Sequence, residues 1–362
     1  MAATDEILFD RRGGLAIATL NRPKALNALT LGMYRAFEPR LTAWARDPGV
    51  RAVLLQGAGD RAFCAGGDVR AIYQARADPL GPGDYKFDLF REEYLFVRQL
   101  HRFAKPRIAL AQGITMGGGA GLSINGSHCV ATESSQFAMP EVFIGSVTDV
   151  GATRFFNRCP GRVGQYLALT GARVGAADAL YCGFATHFVP QERFAKLTGA
   201  LAAVDWRAGA EHAQVDEVLA RFSANPFAMN PEVAVLPALR PAIDRCFGKS
   251  SVEEIVAALR QEEGSWAVEA LAAMQRASPL SLKLTLRQLR VGAGMEIEAA
   301  LMLEFRIIQH LLAESDFYEG VRAVLVDKDK RPRWRFSSLE EVSEAEVDRH
   351  FASLGERELR FT

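Results

Sequence analysis

Two carboxylates, Glu141 and Asp149, lie in the segment Met139–Gly151 among apolar residues and glycines. Such surroundings desolvate a carboxyl group, raise its pKa and suit it to acid/base work. Two glycine-rich turns offer a complementary chemistry. The first, Phe63-Cys64-Ala65-Gly66-Gly67-Asp68, follows the Gly57-x-Gly59 turn at the end of an apolar run. The second, Gly113 to Leu122, runs into an apolar helical stretch. Small residues let the backbone approach a ligand, and a helix N-terminus presents N–H groups without intrahelical acceptors. Two such turns converging from separate strands would form an oxyanion hole, in which losing one donor costs on the order of 10²-fold to 10³-fold in turnover.

Other residues with chemical potential read more plainly. The Met116–Gly121 run fails the dinucleotide fingerprint, because Leu122 stands where a third spaced glycine is needed. Cys64 has no identifiable histidine partner and reads as a small buried core thiol. His128 and His187 are too far apart for a local metal motif, and neither is given a role. Asp68 either caps the helix after its turn or takes part in the chemistry.

The elements that must position these groups alternate. Ile7–Leu20, with Gly13-Gly14 at its middle, predicts a hairpin. Thr30–Arg46 places Met33, Phe37, Leu41 and Trp44 at helical spacing, and Ala52–Gly57 and Arg107–Gln112 are short apolar runs of the buried-strand kind. Asp78–Asp84, with two prolines and two glycines, is a loop feeding a helix striped by Phe87, Phe90, Tyr94, Val97 and Leu100. Helical patterns cover Gly161–Thr170 and Ala176–Gly183, and Ala185–Val189 returns as a strand. Beyond Phe194 long helical patterns take over, and Lys328, Lys330, Arg331, Arg333 and Arg335 make the closing segment basic.

Composition excludes more than it selects. A net charge of zero favours neither nucleic acid nor a membrane surface as partner, so an anionic ligand must be met by a local cluster of bases. No run approaches a membrane span. The 5 cysteines lack paired C-x-x-C spacing, which argues against a disulfide framework or a zinc site. The acidic start, MAATDEILFD, reads as neither a secretion signal nor a transit peptide. The expected compartment is the cytoplasm.

Asn21–Leu29, the Cys64–Asp68 turn and the Met116–Gly121 run, in this order and spacing, resemble the crotonase (enoyl-CoA hydratase/isomerase) superfamily over nearly the whole chain. Phe90–Tyr94, Phe137–Glu141, Asp149–Gly151, Leu167–Gly171, Ala185–Val189 and Asp316–Asp329 are most similar to its 3-hydroxyisobutyryl-CoA hydrolase branch. The resemblance implies an α/β fold, a crotonase-like spiral of ββα units over 1–200, with a helical C-terminal region over 201–362 that completes the site and the oligomer contacts.

By the same resemblance, Gly67 and Gly118 supply the oxyanion-hole amides, Glu141 acts as nucleophile or general base, and Asp149 sits across the thioester carbon. Arg22, Lys24, Ala25, Ala65, Asp68, Glu93 and Gly117 are implied to bind substrate. Glu93 is either a polar neighbour of the substrate or part of a solvated helix face. The basic segment is either solvated or, with Arg22 and Lys24, near the CoA phosphates. No metal or redox cofactor is implied, coenzyme A being part of the substrate, and self-association into trimers or hexamers is.

Hydratases of the superfamily usually carry a second glutamate where this chain has Gly121, which argues against water addition. The branch commonly has Phe-Phe-Pro or similar before its aspartate, whereas Ser146-Val147-Thr148 stand here, so the acyl pocket is expected to differ. The expected activity is hydrolysis of a short 3-hydroxyacyl-CoA ester in valine catabolism. Its rivals are an enoyl-CoA hydratase/isomerase and a non-catalytic acyl-CoA-binding homologue.

Overall fold

Gly13, at φ +60°, turns the first apolar stretch back on itself, so that β1 (Ile7–Arg12) pairs antiparallel with β2 (Leu15–Leu20). The computed structural model describes residues 5–226 and 234–361. Helix α1 (Leu31–Arg46) starts at Thr30, whose hydroxyl accepts the Met33 N–H, and buries Met33, Phe37, Leu41 and Trp44 as the spacing predicts. Next come β3 (Ala52–Gly57), β4 (Ala62–Cys64), α2 (Val69–Gln74), α3 (Tyr85–His101), β5 (Arg107–Ala111), β6 (Ile114–Met116), α4 (Gly118–Ile124), β7 (His128–Ala131) and β8 (Gln136–Ala138). They are followed by α5 (Ala152–Asn157), α6 (Val163–Thr170), α7 (Ala176–Cys182), β9 (His187–Phe188), α8 (Phe194–Ala202) and α9 (Glu211–Phe222). The last part is helical: α10 (Leu236–Phe247), α11 (Val252–Leu259), α12 (Ser265–Arg276), α13 (Pro279–Val291), α14 (Ile297–Leu311), α15 (Asp316–Val321) and α16 (Glu344–Phe351).

The chain divides into two compact units. One gathers the described residues of Met1–Gly67, Phe96–Phe137 and Val174–Val235, the other Asp68–Leu95, Ala138–Arg173 and those of Leu236–Thr362.

In the first unit a six-stranded sheet runs β1-β2-β3-β5-β7-β9, parallel from β2 onward, beside a three-stranded sheet β4-β6-β8. Consecutive strands alternate between the sheets: β3, β5 and β7 enter the first, and β4, β6 and β8 the second. This is the spiral of ββα repeats. Strands covered on both faces must be apolar throughout, which is why β3 and β5 read as continuous apolar runs. Leu54, Ile108, Leu110 and Val130 face Leu197 and Leu201 of α8 and Val215, Val218 and Leu219 of α9 in one buried cluster.

In the second unit, α6 is packed by α5, α10, α12 and α13, and α14 lies against α5 and α16. Ser278 caps α13, accepting the Ser281 N–H ahead of Pro279, and its own hydroxyl donates to Asp316 Oδ2 at 2.9 Å. Among the described residues no helix is long and apolar enough to cross a membrane.

Candidate functional site

The first unit builds the glycine turns. Asn27, fully buried at φ +57°, donates its amide to the carbonyls of Ala58 (3.0 Å) and Ala62 (2.9 Å) and accepts the Arg22 N–H. The Ala65 N–H donates to the Leu26 carbonyl, so the Arg22–Ala25 turn is fastened to the glycine turn after β4. Gly66 has φ +109°, and a Cβ built there would lie 3.3 Å from Met116 O and 3.6 Å from Gly118 N, which brings the two glycine turns together. A Cβ on Gly119 would stand 2.3 Å from Cys64 O, so only glycine lets α4 approach β4 this closely. A Cβ on Gly67 would meet open space. Among the described residues, neither the Gly67 nor the Gly118 N–H donates a hydrogen bond, as expected of an amide offered outward and of the first residue of a helix.

The predicted substrate-binding residues of this unit differ in exposure. Lys24 and Ala25 are exposed, Ala65 is half-buried, and Gly117, at φ +50°, is the buried N-cap of α4. The Arg22 guanidinium donates to Ala28 O at 2.7 Å and pairs with Glu6 at 3.1 Å. All 5 cysteines, Cys64 included, are buried free thiols. His128 and His187, far apart in sequence, come within 6.1 Å ring to ring, and His212 stacks on His128.

The second unit builds the acid pair. Glu141 opens a 3₁₀ turn, Glu141–Ile144, gripped on two sides. The Ser278 N–H donates to Val142 O, and α15 comes so close that a Cβ on Gly145 would lie 2.3 Å from Asp316 O. Asp149 is 7% exposed. Around it, Gln288 donates to Thr148 O (2.6 Å) and Thr153 Oγ1 (2.8 Å), while Glu304 accepts the N–H of Gly151 (2.7 Å) and of Thr153 (2.8 Å). The Tyr94 hydroxyl donates to Asp149 Oδ2 at 2.6 Å.

Burial, then the charge of Asp149, pushes the Glu141 carboxyl well above its usual range. Asp149 is raised to about 6 by burial, against the Tyr94 hydrogen bond, which favours the carboxylate. Burial lifts Glu304 to about 8, opposed by the two backbone donors. Tyr94, lifted first by burial and then by the Asp149 charge, stays protonated and so remains a donor. Glu141 is half-buried as a residue, yet its Oε2 is enclosed and has no hydrogen-bond partner among the described residues. Two buried acids whose pKa values are both raised but set apart are a recurring arrangement in catalytic pairs.

Asp68 caps α2 by accepting the Ala71 N–H at 3.2 Å, in line with the first of its two readings. Glu93 is 4% exposed, which removes the solvated-face alternative. In the basic segment Arg335 pairs with Glu314 and Glu346, and Arg322 binds Glu319, Asp327 and Asp329, while Lys328, Lys330 and Arg331 are exposed. Glu314, Glu346 and His350 bring potential metal ligands together, but Arg349 binds the Oε1 atoms of both glutamates. Tyr94 and Glu304 escaped the sequence reading as polar partners. Tyr94 was one of the apolar stripe of its helix, whereas Glu304 carried a usable signal, a lone acid on the buried face shared by Leu301 and Ile308.

An enoyl-CoA hydratase/isomerase family model matches residues 15–351. The 3-hydroxyisobutyryl-CoA hydrolase, mitochondrial, of Danio rerio is 44% identical over 359 residues, 99% of this chain and 92% of the relative. The Homo sapiens protein of the same name is 41% identical, with 99% and 92% covered. A crystal structure described as an enoyl-CoA hydratase from Rhodobacter sphaeroides superposes with TM-score 0.88 at 39% identity, covering 99% of this chain and 100% of its own. The relatives' mitochondrial names overturn the cytoplasmic expectation. That expectation rested on unpaired cysteines, an acidic start and the lack of a membrane-length run, and compartment is not recorded in the physics of the folded part. With its ββα spiral, glycine turns and buried carboxyl pair, the chain belongs to the enoyl-CoA hydratase/isomerase family.

Proposed function

We infer that this chain hydrolyses a short-chain 3-hydroxyacyl-CoA thioester, 3-hydroxyisobutyryl-CoA first among them, to the free acid and coenzyme A. A role in valine catabolism follows from that substrate. The observation that carries the reading is the buried carboxyl pair, Glu141 beside Asp149, the latter held by a phenolic donor, in a chain whose curated relatives carry the hydrolase name.

The Gly67 and Gly118 amides hold the thioester oxygen as it gains negative charge. Glu141 then attacks the carbonyl carbon, or takes a proton from a water that does so. The pair shares one proton: with Glu141 as the carboxylate, Asp149 carries it and passes it to the departing thiolate as the C–S bond breaks, and a proton from the water restores the pair. On the first route, water cleaves the acyl–Glu141 anhydride and restores the carboxylate. On the second, the free acid is released directly. The neighbouring residues proposed to bind substrate are Arg22, Lys24, Ala25, Ala65, Asp68, Glu93 and Gly117. Main-chain amides and carboxyl groups carry each step, so the reading calls for no metal or redox cofactor. The active form is a trimer or hexamer, which light scattering would report as three or six chain masses.

Water addition to an enoyl ester is the competing chemistry, and it is the activity for which the Rhodobacter sphaeroides structure is named. It calls for a second carboxylate, and the position expected to hold it is Gly121, buried within α4. Product analysis over a panel of short acyl-CoA esters decides. Free thiol released from 3-hydroxyisobutyryl-CoA supports hydrolysis, loss of enoyl absorbance without thiol release supports hydration, and tight ester binding with no turnover supports a binding protein.

A further inference from the structure

Three groups that feel the Asp149 charge are acidic or phenolic: Tyr94 from α3, Glu141 from the 3₁₀ turn and Glu304 from α14, while Glu93, next to Tyr94 in α3, acts on Tyr94 and Glu141. In so acidic and dry a setting the charged form of Asp149 depends on whatever hydrogen bond it receives. A phenol donating at 2.6 Å is within the short range of charge-assisted O–H···O bonds. The Tyr94 ring is fully buried, edge-on to Phe90 and to Phe305 with centroids 6.2 and 5.9 Å away. Phe305 follows Glu304, the residue that accepts the Gly151 and Thr153 N–H groups just after Asp149. One helix, α14, therefore fixes both the donor ring and the loop that bears the acceptor.

We propose that Tyr94 is the positioning residue for Asp149, its hydroxyl fixing the carboxyl's orientation and stabilising the anion left when Asp149 has given up its proton, with Glu304 anchoring the Asp149 loop through the Gly151 and Thr153 amides. The proposal rests on the hydrolase reading and adds to it a residue that touches Asp149 rather than substrate. Deleting the hydroxyl alone removes the one side-chain donor to Asp149 among the described residues and keeps both ring contacts.

The test is Tyr94→Phe in the full chain, measured as the pH dependence of thiol release from 3-hydroxyisobutyryl-CoA and as the ¹³C NMR titration of the labelled Asp149 carboxyl, assigned by its loss in Asp149→Asn. The titration is expected to move alkaline by about one pH unit, the size of a hydrogen bond to a charged group. The kinetic limb absent in Asp149→Asn should move with it, and kcat should fall about tenfold with KM within twofold. Adding Tyr94→Phe to Asp149→Asn should cost nothing further. Should Tyr94→Phe fail to fold, 3-fluorotyrosine at position 94, a stronger donor of nearly the same shape, should move the titration the other way. An unmoved titration, or losses that simply add in the double variant, overturns the proposal. Wild-type protein that releases no thiol from any ester, while the Asp149 titration still responds to Tyr94, refutes the hydrolase reading and leaves the Tyr94–Asp149 link standing.

Discussion

Asp149 shows how function opposes stability at a single residue. Its carboxyl is raised from 3.8 to about 6, chiefly by burial, so the folded chain pays to ionise it. The stabilising form is the protonated one, fully present below 3.8 and lost as pH rises through about 6. At about 1.4 kcal/mol per pH unit the gap comes to roughly 3 kcal/mol. Asn at this position keeps an oxygen for the Tyr94 hydroxyl and carries no charge. Asp149→Asn should therefore be more stable than wild type above pH 6, by roughly 2–3 kcal/mol, and the two should converge below pH 4 in denaturant melts. A gap independent of pH would show that the burial energy of this carboxylate has been misjudged. The acid pair itself was legible in the sequence, because two carboxylates among apolar residues stand out. The Tyr94 hydroxyl was not, because a tyrosine in a helical stripe looks the same whether its oxygen reaches solvent or a buried acid.

At the scale of elements, the glycines of α4 illustrate a constraint that no propensity captures. Gly119 is required by the carbonyl of Cys64, which lies where a methyl group would go. Gly119→Ala should cost about 1–3 kcal/mol through overpacking. By displacing the Gly118 amide it should also lower kcat more than it raises KM, measured by urea melts and steady-state kinetics on the same preparation. Five strands of the six-stranded sheet were readable from the hairpin and the apolar runs, and β7, only four residues long, was not. The second sheet was not, since β4, β6 and β8 have three residues each, too short for any period to show. The histidines of β7, β9 and α9 were likewise invisible as a group, being joined only by the fold. His128 and His187 are both lowered, first by burial, while Asp216 opposes at 3.0 Å from His128. The folded chain thus binds fewer protons than the unfolded chain below pH 6.5, and stability falls as the medium is acidified through that value. His128→Gln should flatten the decline in melting temperature between pH 7 and pH 5 relative to wild type, and parallel curves would count against this account.

For the molecule as a whole, the division of labour matters most. The first unit holds the glycine turns and the second holds Glu141, Asp149, Tyr94 and Glu304. Main-chain donors need only a fixed backbone, which parallel strands and short glycine turns provide. Carboxyl groups with raised pKa values need burial, supplied by the helices α13, α14 and α15. A chain of net charge zero adds no long-range attraction for an anionic ester, so chemistry and specificity must both be local. The central claim is that Glu141 and Asp149 act on one polarised thioester. Its most direct measurement is steady-state thiol release from 3-hydroxyisobutyryl-CoA by wild type, Glu141→Gln and Asp149→Asn, with folding checked by circular dichroism. The account predicts that each variant loses at least about 10²-fold in kcat, within the range for a positioned acid or base, with KM changed only a few-fold. Either variant turning over near the wild-type rate would contradict it.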